Sequence, residues 1–211
     1  MSFDRIAPHY RWLEPVLAGG VLQEARLAHV AVLDGAENIL LVGEGPGHFL
    51  TALRQRRPDV PITVIDSSRR MLDLAATATA GPTRFIQLDL TNTPLPEGQW
   101  DGIVTHCFLD CFNPTTLGGV VDRIVKRATP DADWLITDFA LPSGGWRRTR
   151  ARLIHALMYR TFRLTTGLEA RRWTDPSPLL RTHGFKLSAR IPLNHGLIVA
   201  DHWQKRLSLS K

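Results

Sequence analysis

The fold of this chain is decided by residues 39–50, which read Ile39-Leu40-Leu41-Val42-Gly43-Glu44-Gly45-Pro46-Gly47-His48-Phe49-Leu50. The first four residues are apolar, as in a buried parallel strand, and an apolar pattern of helical period resumes after the glycines. Glycines at alternate positions let the backbone turn sharply and bring its N–H groups close to a ligand. A strand, a glycine loop and a helix in this order are typical of the nucleotide-facing corner of an open α/β sheet.

The size and composition of the chain indicate one globular domain. It has 211 residues, of which 44% are hydrophobic and 22% are charged, so it can bury a core. No apolar run approaches the ~18 residues typical of a membrane span, and the first residues carry no apolar leader segment. Two cysteines, Cys107 and Cys111, are too few for a disulfide framework or a zinc site. We therefore expect a cytoplasmic protein without a metal.

The rest of the chain alternates between strand-like and helix-like segments. Two alternating runs at the end, joined by Asn194-His195-Gly196, predict a hairpin. The pattern predicts an α/β fold, a doubly wound, Rossmann-like and mostly parallel sheet with a C-terminal antiparallel hairpin. We assign residues 1–211 to a single domain, with an N-terminal helical cap at 1–35 and acceptor-side or lid helices at 141–184. The predicted strands are 39–42, 61–65, 84–88, 101–106, 133–136, 185–192 and 197–203, and the predicted helices are 3–33 (interrupted), 48–56, 68–79, 115–128, 146–162 and a short one after Pro176.

Acidic residues end the two strands that follow the glycine loop. Asp66 lies 19 residues past Gly47, close to the ~20 expected for a carboxylate that accepts hydrogen bonds from ribose hydroxyls. Asp89 at the next strand end suits an adenine amino group, with Leu90 beside the ring, and Met71 can cover an apolar ring face. Each aspartate alone could be a helix cap. The ordered set predicts a nucleotide-type cofactor.

The spacing of the glycines distinguishes between cofactors. A dinucleotide fingerprint has a third glycine where this chain has His48, and the spacing here is Gly-x-Gly-x-Gly. This loop resembles the S-adenosylmethionine loop of class I methyltransferases. The opening Phe3–Tyr10 resembles the branch related to ubiquinone and menaquinone biosynthesis, in which an aromatic residue helps to cover the cofactor. Three further segments resemble motifs of the class: Ile65–Leu72, Asp89-Leu90 with Pro94-Leu95-Pro96, and Trp100–His106.

The resemblance implies S-adenosylmethionine as cofactor and supplies a set of binding residues. The family usually has an acid where this chain has Leu41, and we hypothesise that Glu44 takes over the contact to the methionine ammonium group. The branch often has an acid at the position of Arg11. The residues expected to bind the cofactor are Tyr10, Gly43, Glu44, Gly45, Gly47, Asp66, Ser67, Met71, Asp89, Leu90, Thr105 and His106.

The implied reaction is in-line displacement at a sulfonium methyl, for which the protein mainly supplies orientation and desolvation. A base is needed only where the acceptor must lose a proton. His106 is the first candidate for this catalytic role, and weaker candidates are Asp138, His155, Tyr159 and His195. The chain lacks the motifs of nucleic-acid amino methylation, metal-dependent catechol methylation and arginine methylation, so the expected acceptor is a small hydrophobic or anionic molecule. Two alternatives are a regulatory protein that binds S-adenosylmethionine without turnover and an NAD(P)-dependent reductase.

The segment from Leu141 to Arg172 carries eight arginines and one acid, Glu169, which is more positive charge than the net +6 of the whole chain. At 100° per residue its apolar side chains share one face and four arginines lie opposite. This pattern predicts a solvated face above a buried stripe, a lid over an anionic acceptor, or contact of helix 147–163 with an anionic membrane. Without an aromatic stacking platform, we expect no specific nucleic-acid partner. The apolar face comprises Trp146, Leu153, Ile154, Leu157 and Met158, and the arginines are Arg148, Arg152, Arg160 and Arg163.

Overall fold

The computed structural model describes residues 20–166, 170 and 172–205. Within them, seven strands form one sheet in the order β3-β2-β1-β4-β5-β7-β6. The first five strands run parallel, and β7 is antiparallel to both β5 and β6. The predicted fold class is therefore confirmed. The strands are β1 Ile39–Val42, β2 Ile62–Asp66, β3 Thr83–Gln87, β4 Trp100–His106, β5 Ala128–Phe139, β6 Phe185–Leu193 and β7 Ile198–Lys205.

Helices cover both faces of the sheet. On one face, Leu40 and Ile103 pack with Leu117 and Leu180 from two helices. On the other face, the alternate strand residues Leu41 and Val104 pack in a second cluster, with Phe49 and Leu72. Because β1 is buried on both faces, its four residues are all apolar. The α-helices are α1 Val21–Leu27, α2 His48–Arg56, α3 Arg69–Ala78, α4 Pro114–Val125, α5 Gly145–Thr166 and α6 Ser177–Thr182.

The topology places a crevice at the carboxyl end of β1. This strand pairs with β2 on one side and β4 on the other, so the strand order reverses there. Open α/β sheets bind their ligands outside the carboxyl ends of the strands at such a switch point. The glycine loop and Asp66 both lie at this edge of the sheet.

Two predicted element boundaries differ from the structure by five residues or more. The helical pattern predicted through Leu33 ends at Leu27 and gives way to a 3-10 segment, Val30–Gly35. The fifth strand begins at Ala128 rather than Asp133, because Ala128 already pairs with Trp100 across an irregularity in the ladder. Residues 3–19 of the predicted N-terminal helices lie outside the described residues.

The predicted core face of α5 was also wrong in part. Met158 is buried as expected, but Trp146, Leu153 and Leu157 are 60%, 69% and 68% exposed. The helix packs instead through Ala151, His155, Met158 and Tyr159, and three of these join a cluster with residues of β5 and β7. The helix therefore carries apolar side chains on two faces. Tertiary packing buries the face that contains Ala151 and His155 and leaves the face with Leu153 and Leu157 exposed.

Candidate functional site

A cavity lies at the switch point of the sheet, outside the carboxyl ends of β1, β2 and β4. Its wall combines the glycine loop with the ends of the next two strands and the segment after β4. It contains nine of the twelve residues that the sequence predicts for the cofactor: Gly43, Glu44, Gly45, Asp66, Ser67, Met71, Asp89, Leu90 and His106. The sequence therefore predicted residues that the fold does bring together.

The three loop glycines each adopt a positive φ, of 70°, 68° and 93° at Gly43, Gly45 and Gly47. A Cβ at Gly43 would lie 2.4 Å from the Phe108 ring, so the loop and the segment after β4 approach each other too closely for any side chain. A Cβ at Gly47 would lie 2.9 Å from the Cα of Ala75 in α3. Gly47 does not line the cavity, and its role is to let α2 and α3 pack closely.

Asp66 ties the glycine loop to the start of α3. Its Oδ1 accepts a hydrogen bond from the Ser68 backbone N–H at 2.8 Å, and its Oδ2 accepts a longer one from the Gly45 N–H at 3.4 Å. The Ser68 hydroxyl accepts from the Met71 N–H at 3.2 Å and caps α3. This geometry fixes the carboxylate at the cavity wall, and the buried Met71 lies one helical turn away.

Asp89 forms a turn with the residues that follow it. Its Oδ1 accepts hydrogen bonds from the Thr91 N–H at 2.9 Å and the Thr91 hydroxyl at 2.6 Å. Partial burial raises the pKa of Asp89, but these hydrogen bonds outweigh burial and leave its pKa below the ordinary value. Asp89 is therefore a carboxylate at neutral pH, and the buried Leu90 lies beside it in the cavity wall.

Glu44 lies where the loop meets α2. Its Oε1 accepts a hydrogen bond from the Leu50 N–H at 2.8 Å, in the first turn of that helix. Burial raises the pKa of Glu44 to about 7, although the Leu50 hydrogen bond and the positive charge of Arg26 act in the opposite direction. A cation that binds beside Glu44 would stabilise its ionised form and lower its pKa.

Arg26 is a site residue that the sequence did not indicate. It belongs to α1, is only 6% exposed and lines the same cavity as Glu44. Its positive charge also lowers the pKa of His106, so the guanidinium lies near both groups. Arg26 lies 17 residues before Gly43 and belongs to no recognisable sequence motif.

His106 and Thr105 point to opposite faces of β4. His106 lines the cavity with its ring 4.7 Å from that of Phe49, edge to face, and neither ring nitrogen has a hydrogen-bond partner among the described residues. Burial and the charge of Arg26 hold its pKa well below the ordinary value, so the imidazole is neutral. Thr105 does not line the cavity, and its hydroxyl accepts from the indole N–H of Trp134 at 3.0 Å in the core. Tyr10 lies outside the described residues.

A second cavity lies beyond the end of β5, bordered by residues 140–144, the first turn of α5 and the hairpin. Asp138, 4% exposed, lines it. Its Oδ1 accepts from the Phe108 N–H at 3.1 Å, while its Oδ2 has no partner among the described residues. Burial and the neighbouring Asp110 raise the pKa of Asp138 well above the ordinary value. Phe108 also lines the first cavity, so the peptide group between Cys107 and Phe108 lies between the two cavities.

The other three candidate bases differ in position. His195 lines the second cavity. Tyr159 donates to the Asp110 carbonyl at 3.1 Å, and burial raises its pKa further above the ordinary value. His155 is buried between the rings of Phe139 and Tyr159. Neither Tyr159 nor His155 lines either of these two cavities.

Comparison with known proteins places this arrangement in a family. Residues 39–131 match the sequence model of a methyltransferase domain. The magnesium protoporphyrin IX methyltransferase of Synechocystis PCC 6803, solved with bound S-adenosylhomocysteine, superposes with a TM-score of 0.69 over 97% of this chain and 96% of its own, at 15% identity. This chain belongs to the class I S-adenosylmethionine-dependent methyltransferases.

Its relatives extend the family assignment without fixing a substrate. A demethylmenaquinone methyltransferase of Deinococcus radiodurans is 30% identical over 148 residues, which cover 68% of this chain and 61% of the relative. An uncharacterised methyltransferase of Bacillus subtilis, YdaC, is 31% identical over 102 residues, which cover 48% and 55%. The methyltransferase chain described here thus spans about three fifths of the length of these curated relatives, or less.

Proposed function

We propose that this methyltransferase transfers a methyl group from S-adenosylmethionine to a small-molecule acceptor. The observation that carries this proposal is the meeting of the glycine loop, Asp66 and Asp89 at one cavity of the sheet. S-adenosylmethionine supplies an activated methyl group on a sulfonium. The protein then has to hold the donor, orient the acceptor and exclude water.

The residues around the first cavity match the chemistry of this donor. Asp66 would accept hydrogen bonds from the ribose hydroxyls, and Asp89 with Leu90 would hold the adenine. At the other end, Glu44 would bind the methionine ammonium group and the buried Arg26 the methionine carboxylate. The zwitterionic methionine end of the cofactor would thus contact one acidic and one basic side chain. The positive charge of its ammonium group would favour the ionised form of Glu44.

The second cavity is the proposed acceptor site, and residues 141–144, Arg147 and Trp173 from the predicted acceptor-side segment line it. Support comes from Asp138, whose Oδ2 has no hydrogen-bond partner among the described residues and can take an O–H or N–H of the acceptor. The apolar rings of Phe139 and Trp173 border the same space, which suits a hydrophobic molecule. Peptide 107–108 lies between this space and the donor cavity.

Two groups can accept a proton from the acceptor. His106 is neutral and lines the donor cavity, but its lowered pKa makes it a weak base. Asp138 has a raised pKa, which makes its ionised form a stronger base than an ordinary carboxylate. We propose Asp138 as the proton acceptor at the acceptor end and His106 as a contact near the reacting methyl.

Titration of the protein with S-adenosylhomocysteine and with NADH, followed by intrinsic tryptophan fluorescence, tests the choice of cofactor. We expect saturation by S-adenosylhomocysteine alone; saturation by NADH alone would favour a reductase. Incubation with labelled S-adenosylmethionine and a metabolite extract then tests turnover. Tight S-adenosylhomocysteine binding without any transfer would favour a regulatory protein.

Location is a separate proposal. Along residues 20–166, 170 and 172–205, no helix combines the length and apolar character needed to cross a bilayer. We retain the cytoplasm as the proposed compartment, which the presence of only two cysteines supports.

A further inference from the structure

Helix α5 exposes a row of large apolar side chains, which we call the outer stripe. It consists of Trp146, Leu153, Leu157 and Leu164, with exposed fractions of 60%, 69%, 68% and 81%. At 100° per residue these four positions fall within about 40° of one another, opposite the buried residues of the same helix. At 1.5 Å per residue the stripe is about 27 Å long. Large exposed apolar side chains that line up over this length mark an interaction surface.

Exposed arginines flank the outer stripe. Arg147, Arg152, Arg160 and Arg163 all have exposed side chains, and no aspartate or glutamate occurs between Phe139 and Leu168. The other two arginines of the helix are used inside the fold. Arg148 donates to the Pro142 carbonyl at 3.1 Å, and Arg150 to the Asn194 side-chain oxygen at 2.9 Å. The outward face of α5 therefore has an apolar centre, and all the charges at its margins are positive.

This combination distinguishes between partners. A stripe of leucine and tryptophan with basic margins is typical of a helix that lies in the plane of a membrane interface. Arginine side chains beside the stripe can reach phosphates while their methylenes stay on apolar surface. An acceptor lid would require the stripe to face the acceptor cavity, whereas α5 borders the second cavity through Arg147, which lies beside the stripe.

We propose that the outer stripe of α5 inserts into the surface of an anionic membrane, with the four flanking arginines at the lipid phosphates. The body of the helix stays packed on β5 and β7 through its buried face. Because Arg147 and Gly144 also line the second cavity, this docking brings that cavity to the lipid surface. The outer stripe itself lies on the opposite face of the helix from the buried core, so vesicle binding can be measured separately from methyl transfer.

Sedimentation with vesicles tests the proposal. The full chain is mixed with vesicles of phosphatidylglycerol and phosphatidylcholine, or of phosphatidylcholine alone, at about 0.01 M and about 0.15 M salt, where the Debye length is about 30 Å and about 8 Å. We expect retention on the anionic vesicles, weaker at the higher salt. Leu153→Gln with Leu157→Gln should weaken partitioning about 30-fold, or about 2 kcal/mol at 1.4 kcal/mol per factor of ten.

Matched variants separate the stripe from general charge. Arg152→Gln with Arg160→Gln should weaken partitioning about fivefold for each arginine at low salt. The control pairs remove the same groups elsewhere on the surface: Arg84→Gln with Lys186→Gln, and Leu74→Gln with Ile191→Gln. Both control pairs should bind anionic vesicles like the unmodified chain, and S-adenosylhomocysteine affinity, measured on every variant, reports that each is folded.

Several outcomes would overturn the proposal. The proposal fails if the chain is not retained on anionic vesicles at low salt. It also fails if the stripe variants and the control pairs lose vesicle binding to the same extent. Light scattering of the chain without lipid tests whether the stripe is instead a dimer interface. If the protein is a dimer that Leu153→Gln with Leu157→Gln converts into monomers, the outer stripe is an interface between two copies of this chain. A monomer by light scattering that binds anionic vesicles through the stripe supports the membrane proposal.

Discussion

Replacement of Glu44 by glutamine is expected to change the pH dependence of stability in a defined direction. Burial raises the folded-state pKa of this carboxyl group from 4.5 to about 7. Below pH 4.5 the group is protonated in folded and unfolded chains alike, so it costs nothing. Between pH 4.5 and about 7 the unfolded chain ionises and the folded chain does not, so the free energy of unfolding falls as pH rises. Above about 7 the loss is complete.

The size of this loss follows from the two pKa values. At 1.36 kcal/mol per pH unit, the change from 4.5 to about 7 corresponds to about 3 kcal/mol. Glutamine cannot ionise, but its side-chain oxygen can still accept the hydrogen bond from the Leu50 N–H. Glu44→Gln should therefore gain stability relative to the unmodified protein as pH rises, by up to about 3 kcal/mol between pH 4.5 and pH 8.

Urea unfolding of both proteins at pH 5 and pH 8, without cofactor, measures this difference. Every other titrating group is common to the two proteins and cancels in the comparison. A stability difference that is the same at pH 5 and pH 8 would refute the raised pKa of Glu44. The same variant tests the ammonium contact, because S-adenosylhomocysteine affinity should fall at least about tenfold; unchanged affinity would contradict that role.

Three further substitutions test the site. Arg26→Met should weaken S-adenosylhomocysteine binding at least about tenfold while leaving 5′-methylthioadenosine, which has no carboxylate, unaffected in calorimetry; equal losses for both ligands would contradict the carboxylate contact. Asp138→Asn should lower kcat/KM about 100-fold or more without changing S-adenosylhomocysteine affinity. In the unmodified protein kcat/KM should rise with pH through the raised pKa of Asp138, whereas a flat profile across neutral pH would point to His106. Gly47→Ala should destabilise the fold by about 2–4 kcal/mol in urea unfolding, because its Cβ would lie 2.9 Å from a backbone atom of α3 at a φ of 93°. Gly45→Ala, which meets no atom within 4 Å, should cost only about 1–2 kcal/mol, and equal losses at the two positions would exclude the packing role.

Much of the fold was predictable because local signals and tertiary structure agree at the centre of the chain. The run Ile39–Val42 is apolar at every position, and β1 is buried on both faces. Asp66 ends β2 and Asp89 follows β3. Because β3 pairs with β2 and β2 pairs with β1, all in parallel, these strand ends lie at the same edge of the sheet. The hairpin turn at 194–196 was predictable from its asparagine and glycine.

The errors have physical causes. Thr105 does not line the cavity because its hydroxyl accepts a hydrogen bond from the indole N–H of Trp134 in the core, a tertiary contact that the local sequence does not indicate. Arg26 depends on how α1 packs across the glycine loop, and no local pattern encodes that contact. The sequence of α5 has apolar residues on two faces of the helix, and the helical period alone does not indicate which face is buried. The sheet surface selects Ala151 and Met158 and leaves Leu153 and Leu157 exposed.

The central claim is that the switch-point cavity binds S-adenosylmethionine through the acidic residue at the end of β2. Calorimetric titration of S-adenosylhomocysteine into the unmodified protein and Asp66→Asn tests it most directly. Asparagine keeps one side-chain oxygen for the Ser68 N–H but loses the second acceptor for a ribose hydroxyl. We predict one binding site per chain and an affinity at least about tenfold weaker in the variant. An unmodified protein that does not bind S-adenosylhomocysteine, or a variant that binds it equally well, would contradict the account.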